Sequence, residues 1–280
     1  MWRSLLFVPI LKNRLIAGAA MRGADAIVLD LEAAIPQDRK DEARAALSGA
    51  VSGLEASGAD IAVRVNPLHS GGANDIAMAT DAGVDLIVLP HATSTAAKQA
   101  ADLAGATPLI LLIESPRGVI DALTIAESAS TIVGLGLGVE DYSSEMGALP
   151  TPELLVPAAF QVIQAARAAR IEPLVIPDTI AHYTDFIRFE AAALKAKALG
   201  ASGSFAIHPG QVEVLNDVFM PSDDEFREAQ NIIAVAEKAG QNGASVATLN
   251  NKMIDAPIVA RARAVLARRL RYSGKPSPSN

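Results

Sequence analysis

The sequence predicts a (β/α)8 barrel that is followed by a C-terminal helical extension. Half of the 280 residues are hydrophobic but only 4% are aromatic, a composition typical of buried parallel strands covered by Ala-rich helices. Short aliphatic runs recur along the chain, each followed by an Ala-rich stretch of helical period, and this alternation indicates right-handed βαβ units. Eight such runs in about 210 residues fit a closed barrel better than an open sheet.

Runs of Val, Ile and Leu define the predicted strands. In chain order they are Leu5–Val8, Ala26–Leu29, Ile61–Val65, Leu86–Leu89, Leu109–Ile113, Ile132–Leu137, Pro173–Ile176 and Gly203–Ile207. A Rossmann-type sheet fits less well, because the segment Val8–Lys12 after the first strand lacks a glycine-rich fingerprint.

A helical extension is predicted beyond the barrel, which we place at residues 1–220. A helix runs from about Asp224 to Gly240 with Ser222 as its N-cap, and after a polar, glycine-containing segment a last helix begins near Pro257. We expect residues 221–272 to be an appendage, since a segment of roughly 60 residues is near the lower limit for independent folding. The Ser- and Pro-rich tail 273–280 is expected to be disordered.

Charge and cysteine content exclude several classes of function. The formal net charge of −7 argues against a nucleic-acid-binding surface, which needs clustered Lys and Arg. The absence of cysteine excludes disulfides, thiolate metal sites and cysteine nucleophiles. No apolar stretch approaches the ~20 residues needed to span a bilayer. These observations predict a cytoplasmic protein that binds neither nucleic acid nor membrane.

Ionisable side chains follow the C-terminal ends of most predicted strands. Active sites of (β/α)8 barrels lie at this end, so these residues are the candidates for binding and catalysis. They are Asp30 and Glu32 after strand two, Arg64 in strand three, His91 after strand four, Glu114 after strand five, Glu140 and Asp141 after strand six, and His208 after strand eight.

Glu114 and Asp141 are the candidate metal ligands. Glu114 directly follows the aliphatic run Leu109–Ile113, where a buried carboxylate costs several kcal/mol unless it is paired or bound to a metal. Asp141 follows a glycine-rich stretch that lets the backbone approach a ligand. Two carboxylates from neighbouring strands suit Mg²⁺, whereas zinc would need His or Cys ligands. The alternative is a structural ion pair between Glu114 and Arg64.

Seven short motifs stand in order along the chain. They are Leu5-Leu6-Phe7-Val8-Pro9, Leu29-Asp30-Leu31-Glu32 with Asp38-Arg39-Lys40 behind it, Arg64-Val65-Asn66, Ile113-Glu114-Ser115-Pro116-Arg117-Gly118, Gly136-Leu137-Gly138-Val139-Glu140-Asp141, Ala206-Ile207-His208-Pro209-Gly210-Gln211 and Lys252-Met253-Ile254-Asp255-Ala256-Pro257. Each is weak alone. Together they cover nearly the whole chain and resemble the citrate lyase β-subunit-like group of the HpcH/HpaI aldolase/citrate lyase superfamily.

The resemblance implies a Mg²⁺-dependent lyase that cleaves a 3-hydroxyacyl-CoA thioester of the citryl-, citramalyl- or malyl-CoA type. The products would be an acyl-CoA and a 2-oxo acid. It also implies a homo-oligomer, a trimer or a hexamer, in which the extension of one subunit caps the barrel of its neighbour.

The same resemblance assigns roles to individual residues. By position, Glu114 and Asp141 are similar to the family's metal ligands, and Arg64 to its substrate-binding and catalytic arginine. Asp255 resembles the aspartate that reaches a neighbouring active site as acid or base.

Further contacts with the substrate are assigned to Glu32, Gly138 and Arg14. Arg14 and Lys12 are both expected in the loop after the first predicted strand, and one of them would contact the phosphates of CoA.

Four positions depart from the family's pattern. Ala33 stands where an aspartate is usual, Ile10 where a glycine is usual, and His91 and Ser204 where lysines are common. These departures leave a CoA-independent, Mg²⁺-dependent aldolase acting on hydroxy-oxo acids as an alternative, and a non-catalytic metabolite-binding or lyase-complex subunit as another. His91 could act as a base, whereas His208 is expected to turn the chain before Pro209.

Overall fold

A computed structural model describes residues Met1–Tyr272, which form two compact units. The first unit is Met1–Phe219 and the second begins at Met220. The tail predicted to be disordered, residues 273–280, lies outside the described residues.

The first unit is built on eight parallel strands. They are β1 (Ser4–Pro9), β2 (Ala26–Asp30), β3 (Asp60–Arg64), β4 (Leu86–Leu89), β5 (Leu109–Ile113), β6 (Ile132–Leu137), β7 (Glu172–Leu174) and β8 (Ser204–Ala206). Neighbouring strands pair in the order β7-β6-β5-β4-β3-β2-β1-β8. A parallel bridge between Leu174 and Gly203 joins the two ends of the sheet. The predicted (β/α)8 barrel is therefore confirmed, with its closure between β7 and β8 the least extensive pairing.

Helices connect the strands and cover the outside of the barrel. They are α1 (Asn13–Ala19), α2 (Lys40–Ser52), α3 (Gly72–Asp81), α4 (Ser94–Ala104), α5 (Pro116–Ile120), α6 (Ala122–Ala126), α7 (Val139–Glu145), α8 (Pro152–Ala168), α9 (Phe186–Leu199) and α10 (Pro209–Phe219), with short 3-10 turns at Gln37–Arg39, Glu55–Ser57 and Leu68–Ser70. The buried positions of α4 are all alanines, Ala97, Ala100, Ala101 and Ala104, so that this helix and the sheet approach closely. No helix within Met1–Tyr272 combines the length and hydropathy needed to cross a membrane.

The alternation of side chains along each strand separates two layers of the core. Leu29, Val63 and Leu111 belong to the large cluster between sheet and helices. The residues next to them, such as Val28, Ala62 and Leu112, belong to a second cluster that fills the barrel interior. Because side chains two positions apart lie on one face, this register also fixes which polar residues enter the barrel mouth.

Glycines in β6 leave room for the interior side chains. A Cβ on Gly136 would lie 2.7 Å from Leu112 Cδ2 and 2.7 Å from Phe205 Cε2. Phe205 in turn stacks on Phe7 with 5.0 Å between ring centroids. The barrel interior below the mouth is thus closed by a packed apolar layer.

The second unit consists of two helices and a hairpin. α11 (Asp223–Gln241) begins at the predicted cap Ser222, whose hydroxyl accepts from the Glu225 N–H in a capping box. Strands β9 (Ala247–Leu249) and β10 (Lys252–Ile254) form an antiparallel pair, and α12 (Ala256–Tyr272) follows. The sequence analysis described only a polar, glycine-containing segment between the two helices and did not predict this hairpin.

Candidate active site

The C-terminal ends of the strands surround a cleft of about 140 Å³. Its apolar base is formed by Phe7, Leu112 and Phe205, and its polar rim by Arg64, Glu114, Gly138, Glu140, Asp141, Asp178 and Ser204. Such a mouth is the usual place for an active site in this fold. The candidates from strands three, five and six are therefore brought to one cleft.

Glu114 lies at the base of the rim and is only 6% exposed. It enters the mouth because it stands two positions after the inward-facing Leu112. Its Oε2 accepts the His91 backbone N–H at 2.7 Å and lies 3.1 Å from His91 Nδ1. The pKa of Glu114 is raised to about 7, mainly by burial. His91 lowers this pKa, and the nearby Asp141 and Glu32 carboxylates raise it. This carboxyl group is placed where a cation would stabilise its ionised form.

Three potential metal ligands converge at this point. The ligand atoms of His91, Glu114 and Asp141 all lie within 4.8 Å of one another. Asp141 is in the first turn of α7 and is exposed, as is His91, so both stand on the open side of the buried Glu114. Gly138 packs directly against Glu114: a Cβ there would lie 2.5 Å from Glu114 Cγ and 2.5 Å from Oε1.

Arg64 is held rigidly beside these groups. Its Nε and Nη2 each donate to Asp30 at 2.7 Å, and Nη1 lies 3.1 Å from Glu32 Oε2. The guanidinium stacks over the Phe7 ring, with 4.5 Å between Cζ and the ring centroid. Burial lowers the pKa of Arg64, but the hydrogen bonds and charge of Asp30 outweigh it and leave that pKa above its ordinary value. Arg64 is fixed in orientation and permanently charged.

The alternative of a structural Arg64–Glu114 ion pair is wrong. Arg64 forms its ion pairs with Asp30 and Glu32, and Glu114 is paired with His91. Sequence separation cannot decide this choice, because Asp30 and Glu114 both face the barrel mouth and only the side-chain geometry selects the partner.

The loop after β2 is fixed by further hydrogen bonds. Asp30 accepts from the backbone N–H groups of Glu32 and Ala34 at 2.9 and 3.0 Å. Lys40 Nζ donates to the Leu31 and Glu32 carbonyl oxygens at 2.7 and 2.6 Å. Glu32 is thereby positioned with its carboxylate towards Arg64.

Sequence reasoning missed the part of the rim that follows β7. Asp178 accepts a two-pronged pair of hydrogen bonds from Arg188 at 2.7 and 2.6 Å. The Thr179 hydroxyl donates to Glu140, which joins the loop after β7 to the loop after β6. The rule that found the other candidates, polar residues following a strand's C-terminal end, would have found Asp178 and Thr179 as well.

Arg14, Asp255 and His208 are not among the residues that line this cleft. Arg14 is exposed on α1 and borders a second cavity of about 280 Å³, which shares Phe7 with the cleft. Asp255 belongs to the second unit, where its Oδ1 accepts from the Ile258 N–H at 3.3 Å. His208 Nδ1 accepts the Gly210 N–H at 3.1 Å, and its ring stacks on Tyr183 at 5.6 Å. The substrate roles of Arg14 and Asp255 stay predictions.

The four residues that depart from the family's pattern occupy different environments. Ser204 is buried at the cleft and His91 contacts Glu114, whereas Ala33 is exposed in the loop after β2 and Ile10 is fully buried in the outer core. Only Ser204 and His91 of the four therefore alter the chemical groups seen here around Glu114 and Arg64.

Carboxylates, an imidazole and an anchored arginine lie together at the mouth of a closed barrel. This arrangement is typical of (β/α)8-barrel enzymes. The model of the HpcH/HpaI aldolase/citrate lyase family matches residues 3–209. Citrate lyase subunit beta of Haemophilus influenzae is 35% identical over 281 residues, covering 95% of this chain and 96% of that protein. The (3S)-malyl-CoA thioesterase of Cereibacter sphaeroides strain ATCC 17029 is 31% identical, covering 95% and 94% of the two chains.

Solved structures agree with these relatives. RipC from Yersinia pestis superposes with a TM-score of 0.67 and 31% identity, covering 81% of this chain and 99% of its own. The citrate lyase beta subunit of M. tuberculosis, complexed with oxaloacetate and magnesium, superposes with a TM-score of 0.65 and 25% identity, covering 79% and 97%. The chain belongs to the HpcH/HpaI aldolase/citrate lyase family, and it is a lyase. The resemblance stated from the sequence motifs is confirmed.

Proposed function

We propose that this protein is a Mg²⁺-dependent carbon–carbon lyase that cleaves a 3-hydroxyacyl-CoA thioester of the citryl-, citramalyl- or malyl-CoA type. The products are an acyl-CoA and a 2-oxo acid. The observation that carries the proposal is the placement of the Glu114 and Asp141 carboxylates beside the anchored Arg64 in one cleft. A relative with 31% identity is named for malyl-CoA, and a similar structure contains oxaloacetate and magnesium.

Glu114 and Asp141 are suited to hold the metal. Both supply hard oxygen donors, and only Glu114 is buried, so that the exposed side leaves coordination positions open for water and substrate. A divalent cation would also provide the positive charge that a carboxylate buried to this degree requires. When bound, Mg²⁺ would polarise the hydroxyl and carboxylate oxygens of the substrate.

Arg64 would bind the developing negative charge. Breaking the carbon–carbon bond of a 3-hydroxyacyl thioester leaves an enolate on the acyl-CoA fragment, and a fixed cation stabilises such charge without reorganisation. Asp30 and Glu32 hold the guanidinium in place, and Phe7 and Phe205 exclude water from beneath it. Glu32, whose Oε2 lies 3.1 Å from Arg64 Nη1, would contact the substrate beside the guanidinium.

Cleavage releases the hydroxyl proton of the substrate to solvent, and Asp255 would donate a proton to the enolate carbon of the acyl fragment. It lies in the second unit, and in the proposed homo-oligomer, a trimer or a hexamer, residues 221–272 of one subunit cap the barrel of the next. This arrangement would enclose the cleft and bring Asp255 of one subunit to the substrate bound by the next.

The CoA moiety is proposed to extend from the cleft towards Arg14. The cavity beside α1 is lined by apolar residues and by Arg14 and Arg22, and Phe7 lines both this cavity and the cleft. Two arginines next to an apolar cavity suit a ligand with an aliphatic arm and phosphates.

A CoA-independent aldolase is the second candidate, and the contact between His91 and Glu114 favours it. An imidazole at the mouth could serve a small hydroxy-oxo acid that needs no carrier. The third possibility, a subunit that binds a metabolite without turnover on its own, predicts metal and oxo-acid binding but no product.

Thermal unfolding with ligands separates these functions. The protein is heated with and without Mg²⁺ in the presence of pyruvate, glyoxylate, oxaloacetate, acetyl-CoA or CoA. A ligand present at 100 times its Kd stabilises the folded state by about 2.7 kcal/mol. Mg²⁺-dependent stabilisation by one oxo acid together with stabilisation by a CoA species supports the lyase. Stabilisation by an oxo acid with no response to any CoA species would favour the aldolase.

Product analysis then tests turnover. The expected result is equimolar acyl-CoA and 2-oxo acid from one of the thioesters, abolished by chelation and by Glu114→Gln but not by Glu145→Gln, an exposed carboxylate on α7. Release of free CoA and the intact hydroxy acid would instead indicate a thioesterase, and absence of product from every thioester would contradict the proposal.

A further inference from the structure

His91 is placed by its backbone at the edge of the metal-ligand pair. It is the second residue after β4, and its φ of 48° lies in the left-handed region that few side chains adopt. Its N–H donates to Glu114 Oε2 at 2.7 Å, and the next N–H, that of Ala92, donates to the Leu112 carbonyl at 3.0 Å. The unusual backbone conformation is thus held by two hydrogen bonds, one to Glu114 and one to Leu112 of β5.

The distances around His91 suit a shared cation. At metal–ligand distances of about 2.1 Å, two ligand atoms of an octahedron stand about 3.0 Å apart when adjacent and about 4.2 Å apart when opposite. His91 Nδ1 lies 3.1 Å from Glu114 Oε2, and the ligand atoms of the three residues lie within 4.8 Å of one another. Small side-chain rotations would bring all three onto one ion.

We propose that His91 is a third protein ligand of the cation held by Glu114 and Asp141, and that it shifts the metal preference of this chain from Mg²⁺ towards Mn²⁺ or Co²⁺. This inference rests on the metal site of the proposed function. An imidazole nitrogen is a softer donor than a carboxylate oxygen. It raises the affinity of a site for Co²⁺ more than for Mn²⁺, and for Mn²⁺ more than for Mg²⁺. Mg²⁺, in contrast, gains little from nitrogen and prefers oxygen ligands and water.

The metal alone is the probe for the first test. Calorimetric titration of the full chain with MnCl₂ and MgCl₂, without substrate, is compared among the native protein, His91→Gly and His91→Asn. Glycine accepts the left-handed backbone without strain, and asparagine keeps a side chain that tolerates it. Far-ultraviolet circular dichroism verifies folding. We expect a loss of about tenfold or more in Mn²⁺ affinity and less than about threefold in Mg²⁺ affinity in both variants.

A spectroscopic measurement identifies the donor atom. Electron spin-echo envelope modulation of bound Mn²⁺ detects a directly coordinated nitrogen, and the expected ¹⁴N modulation is present in the native protein and in His69→Ala, a control at an exposed histidine. It disappears in His91→Gly and His91→Asn.

Two outcomes overturn the inference in distinguishable ways. If Glu114→Gln abolishes metal binding while the native protein shows no ¹⁴N modulation, or keeps it in His91→Gly, the metal site stands and His91 is not a ligand. If Glu114→Gln leaves the binding of both metals unchanged, the metal site of the proposed function fails together with the role of His91.

Discussion

Gly138→Ala is the change that most selectively disturbs Glu114. The backbone of Gly138 has φ −86° and ψ 95°, which alanine adopts without strain. The added Cβ, however, would lie 2.5 Å from Glu114 Cγ, 2.5 Å from Oε1 and 2.9 Å from Cδ. Because the contact involves Cγ as well as the end of the side chain, rotation of the carboxylate alone cannot relieve it.

The size of the effect follows from the displacement. An ordinary van der Waals contact requires about 3.5 Å, so the Glu114 side chain or the β6–α7 connection must move by about 1 Å. A misplacement of this size at a catalytic centre costs on the order of 10²-fold in rate. The cost of overpacking to the free energy of unfolding is about 1–3 kcal/mol. We therefore expect kcat/KM to fall about 100-fold and metal affinity to fall with it, while the protein still folds.

The assay is steady-state cleavage of the thioester, together with calorimetric metal binding and urea unfolding. Gly49→Ala in α2 is the matched control, since nothing lies within 4 Å of its added Cβ. It should leave catalysis unchanged and stabilise the helix by roughly 1 kcal/mol. Retention of metal affinity and kcat/KM within about threefold in Gly138→Ala would refute the assignment of Glu114 as a metal ligand.

Three further predictions concern Glu114, Arg64 and Asp255. In the metal-free protein, burial raises the pKa of Glu114 from 4.5 to about 7, so the folded state holds this proton more tightly than the unfolded state does. The free energy of unfolding should then fall as pH rises from about 4.5 to about 7, by at most about 3 kcal/mol, and urea titrations of Glu114→Gln should show this loss removed. Arg64→Lys should reduce kcat by about 10²-fold, because one ammonium cannot reproduce the paired hydrogen bonds to Asp30. Metal affinity, measured by calorimetry, should be preserved. An unchanged kcat would exclude a catalytic role for Arg64. Asp255→Asn should bind metal and oxo acid but not turn over. If the extension serves a neighbouring barrel, co-refolding Asp255→Asn with Arg64→Lys should give more activity than either variant shows alone. No gain over the separate variants would place Asp255 at its own barrel or outside catalysis.

The barrel could be predicted from the sequence because its strands are defined by burial on both faces. The continuous run Leu109–Ile113 coincides with β5, and Leu86–Leu89 with β4. The ends of β7 and β8 were placed less well: Pro173–Ile176 and Gly203–Ile207 became Glu172–Leu174 and Ser204–Ala206. These two strands meet only at the bridge from Leu174 to Gly203, so their ends depend on tertiary pairing, which an aliphatic run does not encode.

The hairpin β9–β10 was missed because its strands are short and mostly exposed. Thr248, Lys252 and Met253 are exposed, and no buried alternation marks the segment. Its turn does leave a recognisable pattern: Asn250 and Asn251 both have positive φ, 51° and 61°. Two such residues between paired strands are typical of a type I′ turn, in which asparagine is favoured.

The candidate site was predictable in its residues but not in its pairing. Strand ends and two-residue alternation bring Arg64, Glu114 and Asp141 to one mouth. The fork from Arg64 to Asp30 and the contact of His91 with Glu114 depend on rotamers and on a left-handed backbone at His91, neither of which follows from residue spacing. The role of His91 therefore could not be assigned from the sequence alone.

Quantitative product analysis in the presence and absence of Mg²⁺ tests whether the protein is a Mg²⁺-dependent lyase of 3-hydroxyacyl-CoA thioesters. Citryl-, citramalyl- and malyl-CoA are incubated separately with the full chain, and acyl-CoA, 2-oxo acid and free CoA are followed by chromatography. We expect at least one thioester to yield acyl-CoA and 2-oxo acid in equal amounts, chelation to stop the reaction, and Glu114→Gln to be inactive. Cleavage that persists at full rate after complete metal removal, or in Glu114→Gln, would contradict the proposed function.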